Sequence, residues 1–171
     1  MSTEEDTNAQ KHHLGIAKYG EGALSYNNYL KVEELKNLQV CMSEPPHHDE
    51  PLFIIIHQTY ELWFKLILHE IDEAMRLLKE GNVVRATWFM RRVATIFKQV
   101  LVNQIHILET MMPVDFLGFR SKLNPASGFQ SSQFREIEFA AGMKEPRIMQ
   151  FFANEPATLA QMQKRLDQPS L

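Results

Sequence analysis

Cysteine and glycine are both scarce in this chain of 171 residues, and each scarcity excludes a class of protein. A single cysteine, Cys41, cannot form an internal disulfide framework and fits a protein kept in a reducing cytoplasm. With only seven glycines, the chain has long segments that contain few helix-breaking residues. These segments are rich in Leu, Ile, Met, Phe, Glu, Lys and Arg. This composition predicts a mostly helical, cytoplasmic protein.

The chain also lacks a strong charge bias and a long uninterrupted apolar run. The formal net charge is −3, so nothing favours nucleic acid or an anionic membrane as a partner. The first residues are polar and mixed in charge, which does not predict a secretory signal. The longest apolar stretch, 53–71, does not predict a membrane span because polar residues interrupt it, among them His57, Gln58, Glu61 and Lys65.

Breaker positions divide the remaining chain into helical segments. Residues 1–20 are predicted to be a flexible tail and residues 21–171 one helical domain. A short helix is predicted within 23–40, with Ser25 as its N-cap, and long helices at 52–79 and 83–110. Shorter helical pieces follow Pro113 and lie at 132–142 and beyond Pro146. The predicted fold class is all-α: a bundle of long antiparallel helices with a short N-terminal helix.

The two long helices carry the predictions about the core. The first half of the 52–79 helix is apolar almost all the way round, so we expect it to run through the core. Asp49 is the expected cap at its start, and Gly81 the expected left-handed residue after its end. The next helix has a predicted buried stripe: Val93, Ile96, Phe97, Val100, Leu101 and Ile107.

His57 places a titratable imidazole inside the apolar string FIIIHQTYELWFKLILHEI. An unpaired buried polar group costs about 1–3 kcal/mol, so this imidazole needs a hydrogen-bond partner or a ligand. Its neighbours on the helix face would be Phe53, Tyr60, Glu61 and Phe64. Spacing alone leaves two interpretations open, a satisfied core histidine and a pocket histidine.

Two carboxylate–histidine pairs on the same helix suggest a metal centre. His57 with Glu61, and His69 with Glu73, are each four residues apart and could share a cation. A ferritin-like di-iron bundle is therefore an alternative interpretation.

The di-iron alternative lacks its defining motif, Glu-x-x-His on two helices. The spacing occurs once, from Glu44 to His47, and two prolines fill the gap, so this segment cannot be helical. We expect His47 and His48 to be solvated loop residues instead.

Arg120 lies among phenylalanines in the string DFLGFRSKL. Its planar guanidinium can bind a carboxylate through two parallel hydrogen bonds, or it can extend to solvent, and both interpretations stay open. In the NPASGFQSSQFR segment, Ser127 and Gly128 permit either close approach of backbone to a flat ligand or an ordinary turn. No nucleotide-binding loop and no Ser-His-Asp arrangement is legible from spacing.

Several long strings resemble one enzyme family. SYNNYL, HHDEPLFIIIHQTYELWFKLILHEID, LETMMPVDFLGFRSKLNPASGFQSSQFREIEF and the ending QPSL resemble tryptophan 2,3-dioxygenase, in particular its bacterial members. The resemblance runs from about Tyr26 to the last residue. It implies a haem b enzyme of helical subunits that inserts both atoms of dioxygen across the indole C2–C3 bond of L-tryptophan. The product would be N-formylkynurenine, in the first step of tryptophan catabolism by the kynurenine pathway.

The resemblance implies roles for residues that spacing left open. His57 resembles the family's distal-pocket histidine, which hydrogen-bonds the indole N–H, and Phe53 resembles a wall of the indole pocket. Arg120 resembles the arginine that binds the substrate carboxylate. Phe116 would complete the wall at a position where the family varies between tyrosine and phenylalanine.

Further residues match the family's cofactor and assembly positions. Ser127 and Gly128 match the loop that lies against the haem edge. Tyr26 and Tyr29 match tyrosines that reach into a neighbouring subunit's active site, which implies a homotetramer.

The family pattern includes segments that follow QPSL. There lie the histidine that ligates the haem iron and a threonine near the substrate ammonium group. None of the seven histidines here matches the proximal one: His12, His13, His47, His48, His57, His69 and His106. We therefore expect an N-terminal portion of the enzyme that has no iron ligand of its own and binds haem weakly or not at all. Catalysis would then require the missing part to be supplied in trans. The alternative is a non-catalytic helical module that assembles with a partner subunit.

Overall fold

The structure, a computed structural model, describes residues 24–171. Its secondary structure is helical with no strand in this range, which confirms the predicted all-α class. The chain divides into two compact units, Met1–Gln39 and Val40–Leu171. The predicted tail, residues 1–20, lies outside the described residues, and the single domain over 21–171 stays a prediction.

In the described part of the N-terminal unit, residues 24–39, there are two five-residue helices where one short helix was predicted. Helix α1 spans Tyr26–Leu30 and helix α2 spans Val32–Lys36. The Ser25 hydroxyl accepts a hydrogen bond from the Asn28 N–H at 3.2 Å, which confirms the predicted N-cap. Lys31 ends α1 in the left-handed conformation, with φ 55°. A lysine rarely adopts this conformation, so the break could not be predicted from the residue types.

The second unit is built on one long helix, α3, spanning Glu50–Lys79. The helices that follow are α4 (Val83–Thr95), a π-helical segment (Ile96–Leu101), α5 (Val102–Leu108), α6 (Pro113–Arg120), α7 (Ser132–Ala140) and α8 (Pro156–Asp167). Short 3₁₀ segments lie at Ser121–Leu123, Gly128–Gln130 and Pro146–Phe152. Among the described residues, no helix combines the length and hydropathy needed to cross a membrane.

Helices α3 and α4 form a helical hairpin around a tight turn. Gly81 adopts φ +77°, as predicted for the residue that follows a helix end. The Asn82 side chain then accepts a hydrogen bond from the Arg85 N–H at 3.2 Å and caps α4. Ala74, Leu77 and Ala86 are buried between the two helices.

The main core lies beside the second half of α3. Its buried members are Phe64, Ile67, Leu68, Ile71, Val93, Ile96, Leu101, Ile137 and Ala140. The prediction that the first half of α3 runs through the core is wrong, since Ile55 is 46% exposed and Leu62 is 55% exposed. The reason is that the buried side chains of α4, the π-helical segment and α7 cluster with α3 residues from Tyr60 onward.

The π-helical segment interrupts the predicted helix at 83–110. Its wider turn changes the angular phase of the residues that follow. Val93, Ile96 and Leu101 are buried as predicted, whereas Ile107, beyond the wide turn, is 51% exposed and does not belong to the stripe. The Tyr60 hydroxyl donates to the Leu101 carbonyl at 2.8 Å and so connects α3 to the end of this segment.

The loop before α3, residues 41–49, differs from the prediction in two details. Asp49 precedes the helix, but its side chain makes no capping hydrogen bond. The His48 side chain is 99% exposed, as expected, but His47 is half-buried. The prediction that His47 is solvated is wrong because its ring lies 5.4 Å from the ring of Phe119.

A polar cluster joins α8 to α3 and α7. Arg165 of α8 pairs with both carboxylate oxygens of Asp72 in α3. Its Nε lies 3.6 Å from the carboxylate of Glu136 in α7. Glu136 is 2% exposed and accepts a hydrogen bond from Gln161 at 2.8 Å. Burial raises the pKa of Glu136, and the nearby Arg165 and Gln161 offset this only in part.

Replacing Glu136 with glutamine should stabilise the fold more at neutral pH than in acid. A carboxyl whose folded-state pKa is raised favours folding below its unfolded-state pKa, and this contribution is lost as the pH rises through the folded-state value. Glutamine keeps an oxygen acceptor for Gln161 and removes the buried charge. The difference in Tm between E136Q and wild type should therefore be larger at about pH 7 than at about pH 4.

Thermal unfolding followed by circular dichroism measures this difference. E145Q is the matched control, because hydrogen bonds from Arg147 lower the pKa of Glu145 and its pH trend should be opposite or flat. A stabilisation by E136Q that is greatest in acid would contradict the prediction.

Candidate substrate pocket

A cavity of about 610 Å³ lies in the second unit, among α3, α6, α7 and the turn at 127–130. This volume is in the range that binds small molecules. Its lining includes six residues that the sequence analysis singled out: Phe53, His57, Phe116, Arg120, Ser127 and Gly128. The fold thus brings together side chains from sequence segments more than fifty positions apart.

His57 contacts the cavity and also has a backbone partner. Its Nδ1 lies 2.7 Å from the carbonyl oxygen of Phe53, one turn earlier in α3. A carbonyl only accepts, so Nδ1 carries the proton and donates, and Nε2 of the neutral ring keeps its lone pair. The imidazole is therefore a pocket side chain with an acceptor nitrogen that this backbone bond does not use.

Aromatic rings form a continuous wall beside His57. The ring centroid of Phe53 lies 4.1 Å from that of His57 and 5.7 Å from that of Phe116. Phe119, which is fully buried, lies 5.7 Å from Phe53 and 5.6 Å from Phe116. Tilted and edge-to-face contacts at these distances are favourable and hold the rings in place. The wall suits a flat apolar ligand.

Arg120 ends α6 and lines the cavity with its half-buried side chain. Its Nη1 donates to the Asn124 side-chain oxygen at 3.1 Å. Within residues 24–171 the guanidinium has no ion pair with a carboxylate. Its other donors remain suited to a bidentate bond with a carboxylate supplied by a ligand.

The turn at 127–130 is fixed by its own hydrogen bonds. The Ser127 hydroxyl accepts from the Phe129 N–H at 3.3 Å, and the Gln130 side chain accepts from the Ser127 N–H at 2.9 Å. Arg135 of α7 donates to the Phe129 carbonyl at 3.3 Å and lies 5.7 Å above its ring. A Cβ at Gly128 would meet no atom within 4 Å, so the turn leaves open space beside this glycine.

Comparison with known proteins assigns the chain to a family. A family model described as tryptophan 2,3-dioxygenase matches residues 10–169. The chain belongs to the tryptophan 2,3-dioxygenase family. This confirms the resemblance that the sequence motifs indicated.

Named relatives agree with the tryptophan 2,3-dioxygenase model. The protein called tryptophan 2,3-dioxygenase in Herpetosiphon aurantiacus is 52% identical over 149 residues, which are 87% of this chain and 56% of that relative. Proteins of the same name from Nocardioides sp. and Xanthomonas campestris are 46% and 45% identical over 91% and 97% of this chain. The alignments cover 61% and 55% of those two relatives. The chain thus spans a little over half the length of these relatives.

Two predicted site residues, Tyr26 and Tyr29, lie in the N-terminal unit and not in the unit that contains the cavity. Both lie in α1 and are highly exposed, at 75% and 72%. Among residues 24–171, those that line the cavity belong to the second unit. The role of the two tyrosines between subunits stays a prediction.

Gln133 contacts Glu61, a residue that lines the cavity, and the sequence did not predict this contact. Its amide donates to the backbone carbonyl of Glu61 at 3.0 Å and to the Glu61 carboxylate at 2.7 Å. These bonds fasten α7 to α3 at the edge of the cavity. Helical spacing could not predict the role of Gln133, because its partner Glu61 is 72 positions away in the chain.

The Glu61 carboxylate therefore has a protein partner where the sequence suggested a shared cation. Among residues 24–171, no group of three or more His, Cys, Asp and Glu side chains is close enough to hold a metal ion.

Substitution of Gln133 by leucine should destabilise the protein and loosen the pocket wall. It removes two hydrogen bonds and leaves the Glu61 carboxylate without its donor, at a cost of about 1–3 kcal/mol. Chemical denaturation would measure the change in the free energy of unfolding. Q163L, which removes an exposed bond to Asp167 within α8, is the matched control and should change little. Equal effects of the two substitutions would contradict the assigned role.

Proposed function

We propose that the cavity binds L-tryptophan and that the chain forms the substrate-binding part of a haem-dependent tryptophan 2,3-dioxygenase. The proposed reaction inserts dioxygen across the indole C2–C3 bond and gives N-formylkynurenine. The observation that carries the proposal is the convergence of His57, Arg120 and an aromatic wall on one cavity in a chain of this family.

The cavity residues match the chemical groups of the amino acid. Arg120 would bind the carboxylate through two parallel hydrogen bonds. Phe53 and Phe116 would contact the faces and edges of the indole ring. Nε2 of His57 would accept the hydrogen bond from the indole N–H, because Nδ1 already donates to the Phe53 carbonyl.

The residues present also fit the edge of haem b. Aromatic side chains give the cavity an apolar lining, and the exposed turn at Ser127 and Gly128 has open space beside it. These two residues would lie against the macrocycle, which supplies the activation of dioxygen when it is bound.

The chain's own contribution is orientation of the substrate. Arg120 and His57 each fix one end of tryptophan, and the phenylalanines exclude water from the indole. Correct positioning of this kind can lower a barrier by at most about 7–11 kcal/mol. His57 holds the indole proton in a hydrogen bond and need not remove it, because the electron-rich ring requires no strong base.

Selectivity for an amino acid would follow from Arg120. A ligand without a carboxylate would leave the guanidinium partly buried and unpaired, which lowers affinity.

An alternative is a non-catalytic helical module that assembles with a partner subunit. The exposed apolar side chains of Ile55 and Leu62 on α3 favour association. The high exposure of Tyr26 and Tyr29 supports their proposed contact with a neighbouring subunit in a homotetramer. Sedimentation tests this alternative, since a monomer contradicts assembly with a partner subunit, whereas haem-free protein that does not bind tryptophan contradicts the catalytic proposal.

Substitution of Arg120 by lysine should weaken L-tryptophan binding about 10-fold or more, because lysine cannot form the two parallel bonds. Tryptamine, which lacks the carboxylate, should bind wild type weakly and R120K about equally. Isothermal titration calorimetry measures both ligands. R147K is the matched control, since Arg147 is an exposed partner of Glu145 away from the cavity. Equal affinity of wild type for tryptophan and tryptamine would contradict the proposal.

The oxygenase assignment itself is tested with haem supplied. In haem-loaded protein, addition of L-tryptophan should shift the Soret band, because the substrate would occupy the cavity next to the cofactor. Glycine, which has no indole, is the control ligand and should leave the spectrum unchanged. A Soret band insensitive to tryptophan, in protein extended to the full length of its relatives, would rule out the assignment.

A further inference from the structure

Gly118 in α6 faces an imidazole that no family motif assigns. A Cβ at this position would stand 2.9 Å from Nε2 of His47 and 3.0 Å from its Cδ2. A Cβ does not lie so close to another heavy atom unless one of the two groups moves. Alanine is a much better helix former than glycine, so the glycine here is explained by the space that the His47 ring occupies.

The backbone of His47 is fixed by a buried carboxylate. Glu50 is fully buried and accepts hydrogen bonds from the Met42 N–H at 2.5 Å, the Ser43 N–H at 3.1 Å and the Ser43 hydroxyl. The Ser43 oxygen in turn accepts from the His47 N–H at 2.8 Å. Burial would raise the pKa of Glu50, but these donors bring it below its ordinary value, so the carboxylate stays charged.

The ring of His47 is also oriented. Its Nδ1 accepts from the Asp49 N–H at 3.3 Å, so the proton of the neutral ring is on Nε2, the atom that faces position 118. The ring also contacts Phe119, with 5.4 Å between centroids. Phe119 contacts Phe53 and Phe116, two of the phenylalanines that line the cavity. His47 therefore contacts a ring that packs against the cavity lining.

We propose that His47 is a positioning residue for the pocket: its ring, held where Gly118 has no side chain, sets the position of α6 and of the Arg120 guanidinium. Gly118 precedes Arg120 by two residues in the same helix, so a displaced backbone at 118 moves the guanidinium. The inference rests on the proposed function, in which Arg120 binds the substrate carboxylate.

A double-mutant cycle tests this contact. G118A alone places a methyl group against the ring and should weaken L-tryptophan binding about 10-fold or more, since a displacement of about 1 Å can cost that much. In an H47A background the space is free, and G118A should change affinity less than about 2-fold. H47A alone should weaken tryptophan binding several-fold because α6 loses its support.

Tryptamine distinguishes positioning from general damage to the fold. It has no carboxylate for Arg120, so G118A and H47A should lower its affinity several-fold less than they lower tryptophan affinity, because tryptamine shares only the indole contact with Phe116 of the same helix. V114A, on an exposed position of α6, is the control and should alter neither ligand's affinity. Loss of both ligands in equal proportion would overturn the inference, as would an unaltered tryptophan affinity in G118A. If G118A does not fold, H47A with the same two ligands decides.

Failure of this inference and failure of the proposed function give different results. If wild type binds no tryptophan, the proposed function fails, and Tm values for the four proteins of the cycle test the contact itself. Non-additive Tm changes would then support the contact between His47 and position 118, and additive changes would overturn it. If wild type binds tryptophan and the affinities are additive, the function stands and the inference fails.

Discussion

The pocket depends on the contact between Phe53 of α3 and the phenylalanines of α6. Phe53 lies 5.7 Å from Phe116 and also 5.7 Å from Phe119, so the two helices meet through three rings. His57 is one turn beyond Phe53, and Arg120 directly follows Phe119 in the chain. Any change that separates the rings would therefore separate the imidazole from the guanidinium, and the chemistry proposed for the cavity needs both.

Buried carboxylates connect the other elements to this contact. Glu50 organises the loop that holds His47 against Phe119, and Glu136 joins α7 to α8 through Gln161. Glu70 pairs with Arg92 at 2.7 Å and so joins α3 to α4, although its second oxygen has no hydrogen-bond partner. A buried charge is costly unless donors surround it, so each carboxylate restricts how its neighbours can pack.

Local signals predicted the helices well and their packing poorly. The N-cap at Ser25 and the left-handed Gly81 were predicted, because each depends on a few adjacent residues. The break at Lys31 and the π-helical segment were not, since neither contains a residue that forces the change. Exposure of Ile55 on the apolar half of α3 was missed because burial depends on which elements pack there.

The sequence by itself determined the all-α class, the family and the identity of the candidate pocket residues, since these follow from composition, helix signals and long matching strings. Spacing could not decide between a core and a pocket role for His57, or between solvent and ligand for Arg120. Only the tertiary structure shows that both side chains line one cavity. This arrangement requires α3 and α6, which lie about sixty residues apart in the chain, to meet. The tertiary structure alone revealed the His47 ring beside Gly118, a contact between residues that share no periodic pattern.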